Sequence, residues 1–153
     1  MNTRKILIIV TIIFFIATLA FIWGHSMQSI SESQKKSLSV AMIITPFIEI
    51  FVGQGNVTDH LVRKMGHFIE FALLGGVLAL LTVFLRRVNI QMIVNCLFVG
   101  LAVAVTDETI QIFFNRGSQV SDILLDFSSV ASGIFAVMLL RWIINRAKSH
   151  KRS

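Results

Sequence analysis

Four apolar stretches, each fenced by basic residues, constrain this chain more than any other feature. Ile6 to Trp23 runs without a charge behind Arg4 and Lys5. Met65 to Leu85 opens on Arg63 and Lys64 and closes on Arg86 and Arg87. Gln91 to Phe114 and Val120 to Ile144 follow, parted by a turn at Asn115, Arg116, Gly117 and Ser118, and the last ends in the basic tail Arg146, Lys148, Lys151 and Arg152. A helix crosses hydrocarbon with about 20 mainly apolar residues, and backbone in lipid must bond to itself. The expectation is an all-α, polytopic bundle of four transmembrane helices forming one domain over residues 1–153. Composition agrees, because 55% of the residues are hydrophobic and 14% charged, whereas a soluble domain has about 45–50% apolar residues.

The net charge of +6 builds no nucleic-acid face, since the lysines and arginines sit at the ends of apolar runs as topology signals. No nucleic-acid partner is expected. Cys96, the one cysteine, lies inside an apolar segment, which rules out a disulfide framework and reads as packing. Trp23, Gly24, His25 and Ser26 make a poor cleavage site, so the first run is an uncleaved span. His25 to Ser39 reads as a polar connection. Val40 to Val52, with Pro46 and Glu49, is too short to cross and reads as an interfacial or re-entrant helix ended by the turn Gly53 to Asn56. With four crossings, nine of the fourteen basic residues fall on the side of both termini. The positive-inside bias makes that side cytoplasmic.

Ionisable residues then gather at the opposite end. Lys64, His67 and Glu70 occupy that end of the second span, Asp107, Glu108 and Gln111 that of the third, and Asp122 and Asp126 that of the fourth, with Arg116 in the turn between. At about 1.5 Å per residue, Glu70, Asp107 and Asp126 lie about 10 Å below the boundary. Lys64, His67, Phe71 and Leu74 share one helix face by their spacing of three and four. So do Asp107, Gln111 and Phe114, and Asp122, Asp126, Ser129 and Gly133. Charges in lipid cost at least about 2.5–3.5 kcal/mol each at the bilayer centre, so the polar stripes are expected to face one another. Ser129, Ser132 and Gly133, with Gly75 and Gly76, would permit close helix approach.

The stretch RKMGHFIEFALLG (63–75), DETIQ (107–111), Arg116 with Asp122 and Asp126, and Ser26, Gln28, Ser33 and Ser37 after the first span resemble the VanZ-like family of small bacterial membrane proteins. Phe71 stands where that family often has tyrosine, and Ser129 where it often has glycine. The resemblance implies a multi-pass protein of the bacterial cytoplasmic membrane. Its namesake accompanies glycopeptide (teicoplanin) resistance, which makes envelope tolerance the expected phenotype.

Taken singly, each residue has a plainer role. Lys64 can snorkel, His67 can pack against a carboxylate, and Asp122 can cap its helix. Their number exceeds what packing needs and points to a site. The expected ligand set is Lys64, His67, Glu70, Asp107, Glu108, Gln111, Arg116, Asp122 and Asp126, with Ser26 and Gln28. One reading is a pocket facing outward that binds a membrane lipid, a lipid-linked envelope precursor or a glycopeptide antibiotic. The other is an intramembrane enzyme in which His67 works with Glu108 or Asp122 as acid and base on a lipid head group. A carrier is weaker, because no ionisable residue lines the other halves of the helices. No cofactor is expected. One histidine without cysteine makes zinc a poor candidate, and a hard divalent ion at Asp107, Glu108, Asp122 and Asp126 is chemically feasible but not the expectation. His25, His60 and His150 are assigned to connections or the tail, with no role.

Overall fold

The computed structural model describes residues 2–28, 58–117 and 119–150. They form four helices, α1 (Thr3–Ser26), α2 (Asp59–Leu85), α3 (Ile90–Phe113) and α4 (Val120–His150), with no strand among the described residues. All four are long and apolar enough to cross a membrane. The chain is an all-α, multi-pass membrane protein. The short helix expected over Val40–Val52 and the turn at Gly53–Asn56 fall outside the described residues.

Helix ends follow capping residues rather than the edges of hydropathy. Asn2, Thr58 and Asn89 each accept a backbone N–H two or three residues ahead, from Arg4, Leu61 and Met92, which satisfies donors a helix start leaves open. Thr58 therefore starts α2 at Asp59, not Met65, and His60, Arg63 and Lys64 lie on the helix itself. Likewise α1 continues to Ser26, so His25 stands in its last turn and not in a connection. The fourth helix outruns Ile144 and ends at His150, with the Arg146 guanidinium 5.1 Å from the Trp142 ring centroid. Arg86 takes the left-handed conformation that ends α2. Arg4 donates to the Phe84 and Leu85 carbonyls at 2.7 and 2.9 Å, so the start of α1 is tied to acceptors that the end of α2 leaves open.

The bundle is organised around the crossing of α2 and α4, its most extensive helix–helix contact. A Cβ at Gly75 would collide with the Val130 carbonyl, and one at Gly133 with the Ala72 carbonyl. The two backbones touch because neither glycine has a side chain, the device by which helices pack in lipid. Gly100 of α3 leaves room for the Val130 side chain of α4. Phe71, Leu74, Val130 and Ile22 are fully buried around this crossing. Ser129 is buried there as expected, but Ser132 is exposed and bonds back to Ser128. Phe114 is also exposed. Helix α3 stops at Phe113, so position 114 no longer continues the stripe of Asp107 and Gln111. Ile13, Phe98, Phe135 and many other large apolar side chains point outward, while Asp107, Glu108, Gln111, Arg116 and Asp126 point inward. In lipid this distribution puts each class where its desolvation cost is least.

Candidate functional site

The inward charges meet at the end of the bundle formed by the C-terminus of α1, the N-termini of α2 and α4 and the C-terminus of α3. His60, Arg63, Lys64 and His67 share one face of α2, and Glu108 and Gln111 reach them from α3, Asp122, Leu125 and Asp126 from α4. With Arg116, Gly117 and Gln119 from the connection they enclose a cavity of about 290 Å³.

That connection is shaped by Asn115, which takes φ 55°, a left-handed conformation asparagine tolerates better than most residues. The chain folds back and the Arg116 N–H meets the Gln111 carbonyl at 3.0 Å. The guanidinium, 6% exposed, then donates at 3.1 Å to the His25 carbonyl, which lies in the last turn of α1 and also accepts the Gln28 N–H at 3.2 Å. Burial lowers the pKa of Arg116, Arg63 adds to that effect, and Asp107, Glu108 and Glu70 oppose it. Arginine is not deprotonated in proteins, so the guanidinium stays a cation.

Two tiers of polar contacts result. At the mouth, Lys64 Nζ meets Asp122 at 2.9 Å, with both side chains partly exposed, and Glu108 accepts the Gln119 N–H at 3.2 Å. Deeper, Asp107 is fully buried and accepts from Ser26 Oγ at 2.5 Å and Gln111 Nε2 at 2.8 Å. Beside it His25 Nδ1 lies 2.9 Å from Glu70 Oε1. The His67 ring stacks between His25 and Phe71, its centroid 5.9 and 6.3 Å from theirs. His67 Nδ1 is 3.8 Å from both Asp107 Oδ2 and Asp126 Oδ1, beyond hydrogen-bond length. Asp126, also fully buried, has no hydrogen-bond partner at either oxygen.

Of the residues expected from the sequence, Lys64, His67, Glu108, Gln111, Arg116, Asp122 and Asp126 line the cavity. Ser26, Glu70 and Asp107 form the tier behind it. Gln28, just past α1, has a buried Oε1 that accepts no hydrogen bond and is not part of the cavity wall. His67 Nδ1 faces Asp107 and Asp126, while Glu108 accepts the Gln119 N–H and Asp122 pairs with Lys64. His67 is not the only histidine of the cluster, since His25 stacks on it.

His25, His60, Arg63 and Gln119 are the residues that sequence reasoning passed over. Once the Thr58 cap starts α2 at Asp59, the spacing of His60, Arg63, Lys64 and His67 marks one face. For His25 the signal was weaker. Thr11, Thr18, Ile22 and Ser26 are the buried positions of α1, a seam that runs to the helix end and carries His25 beside it.

A family model described as VanZ/LLP1 matches residues 8–141. No curated protein and no solved structure gives a match.

Proposed function

The chain belongs to the VanZ/LLP1 family, and from that premise we propose that it binds the anionic head group of an envelope lipid or lipid-linked precursor in the polar cavity at one end of its bundle. The observation that carries this reading is the set of cations, Arg63, Lys64 and Arg116, around a cavity of about 290 Å³ between membrane-crossing helices. Arginine and lysine are the usual partners of phosphate, one as a planar fork and the other as a point charge. Glu108, Asp122 and the amides of Gln111 and Gln119 supply acceptors and donors for sugar hydroxyls or an amine. Ligand pockets run from about 300 to 1,000 Å³, so this one suits a head group and not a whole glycopeptide. A contribution to glycopeptide tolerance, including teicoplanin, would then act through the lipid.

The same residues bear on orientation. Arg63, Lys64 and Arg116 line the cavity, so they are not free topology signals. Of the five basic residues on that side, Lys35 and Lys36 remain, against nine on the side of the termini. The positive-inside bias thereby favours both termini in the cytoplasm of the bacterial cytoplasmic membrane and a cavity facing outward.

The test is mass spectrometry of lipids that co-purify with the protein. Wild-type protein is expected to retain a phosphate-bearing lipid that Lys64→Met and Glu108→Gln lose at equal expression. Identical lipid profiles in all three would remove the binding reading.

A further inference from the structure

Beneath the cavity, His67 of α2, Asp107 of α3 and Asp126 of α4 bring one ligand atom each to within 4.8 Å of one another. We infer that these three side chains bind a divalent cation of the Zn²⁺, Mn²⁺ or Fe²⁺ class at the floor of the cavity. The assignment rests on these side chains and not on the identity of the head group above them.

Asp126 is the decisive residue. Its carboxyl is fully buried, and neither oxygen has a hydrogen-bond partner. A buried carboxylate without partners carries a large desolvation cost. Protonation does not remove the difficulty, since the new hydroxyl would need an acceptor and its neighbour His67 Nδ1 lies 3.8 Å away. No lysine or arginine among the described residues pairs with it. Lys64 is held by Asp122, and Arg116 reaches the His25 carbonyl.

The distances that fail as hydrogen bonds are close to those needed around one ion. Ligands held about 2.0–2.2 Å from zinc stand about 3.3–3.5 Å apart in a tetrahedron, and His67 Nδ1 is 3.8 Å from each carboxylate. All three ligand atoms lie within 4.8 Å of one another, and the Asp126 carboxyl has no hydrogen bond to break in turning toward an ion. A divalent ion would also balance the two buried carboxylates with a neutral imidazole as third ligand.

The surroundings match an outer ligand shell. Metal-binding carboxylates and imidazoles are held in orientation by further hydrogen bonds and packing. Asp107 is fixed by Ser26 and Gln111, and the His67 ring is fixed by stacking on His25 and Phe71. One imidazole with two carboxylates is a mixed donor set that suits a borderline divalent metal. The side facing the cavity, which His67 and Asp126 line, leaves a position for water or a phosphate oxygen, as in open metal sites.

The test is metal content by inductively coupled plasma mass spectrometry, with thermal denaturation, on detergent-purified full-length protein before and after chelation. Wild type is expected to take up about one Zn²⁺ or Mn²⁺ per chain, to lose thermal stability with chelator and to regain it on adding back either ion. Asp126→Asn and His67→Gln should bind at least tenfold more weakly, whereas Lys64→Met should lose co-purifying lipid and keep the metal. If the variants fold poorly, Co²⁺ added to stripped wild type still reads the site through visible absorption bands. Wild type that takes up no ion and gives no cobalt bands overturns the inference, and so do folded Asp126 and His67 variants that bind metal as wild type does. Loss of metal in Lys64→Met overturns the trio as the binding unit without touching the lipid reading.

Discussion

Ser26, the last residue of α1, donates its hydroxyl proton to Asp107 of α3 at 2.5 Å, with both residues buried. This bond joins the first span to the charged floor of the site. A buried acceptor that loses its donor costs about 1–3 kcal/mol. Ser26→Ala should lower thermal stability in detergent by that amount, and Thr106→Ala, whose exposed hydroxyl bonds only within its own helix, should change it little. Equal shifts in the two variants would show that the bond contributes nothing specific.

The α2–α4 crossing predicts a contrast among glycines. Gly133→Ala places a methyl group on the Ala72 carbonyl and Gly75→Ala one on the Val130 carbonyl, whereas Gly66 faces open space. Overpacking costs about 1–3 kcal/mol or more when backbone must move. Both crossing variants should therefore denature at lower temperature than wild type, while Gly66→Ala keeps or gains stability through helix propensity. A stable, folded Gly133→Leu protein would contradict the crossing.

Asp122 and Asp126 are expected to part ways, although spacing alone treats them as one stripe. The Lys64–Asp122 pair is partly exposed, so Asp122→Asn should cost about 0–1 kcal/mol. Asp126→Asn removes a buried carboxyl that has no hydrogen-bond partner, and in metal-stripped protein it should leave stability unchanged or raise it. A large loss of stability in stripped Asp126→Asn would mean that the carboxylate is paired in a way the geometry does not show.

Lys64 separates a shaped site from a membrane anchor. Lys64→Met, His67→Gln and Glu108→Gln are expected to abolish the envelope phenotype at normal expression, with glycopeptide tolerance as the assay. Lys64→Arg would restore an anchor but not a compact point charge placed against Asp122. Full activity in all the conservative variants would reduce the polar stripes to helix packing.

Orientation is open to cysteine labelling in a Cys96→Ser background, since Cys96 is buried. A cysteine at the exposed Gly117 should react with an impermeant thiol reagent on intact cells, and one at Ser149 should not. The reverse pattern would turn the cavity toward the cytoplasm.

The sequence by itself determined the four spans, because a run of apolar residues long enough to cross lipid leaves its backbone few choices but a helix. It also determined that α2, α3 and α4 would turn their charges inward, since spacing along a helix is a local property. What it left open was depth and pairing. Hydropathy placed the start of the second span at Met65, but the Thr58 cap set it earlier and carried His60 and Arg63 into the cavity wall. Only the tertiary structure decided that His25 would meet Glu70, 45 residues away, that Arg116 would reach back 91 residues to the His25 carbonyl, and that Asp126 would face His67. Those choices depend on how far each helix is rotated and how closely α2 and α4 approach at Gly75 and Gly133. Rotation and approach are set by contacts between segments distant in the chain, which no local pattern encodes.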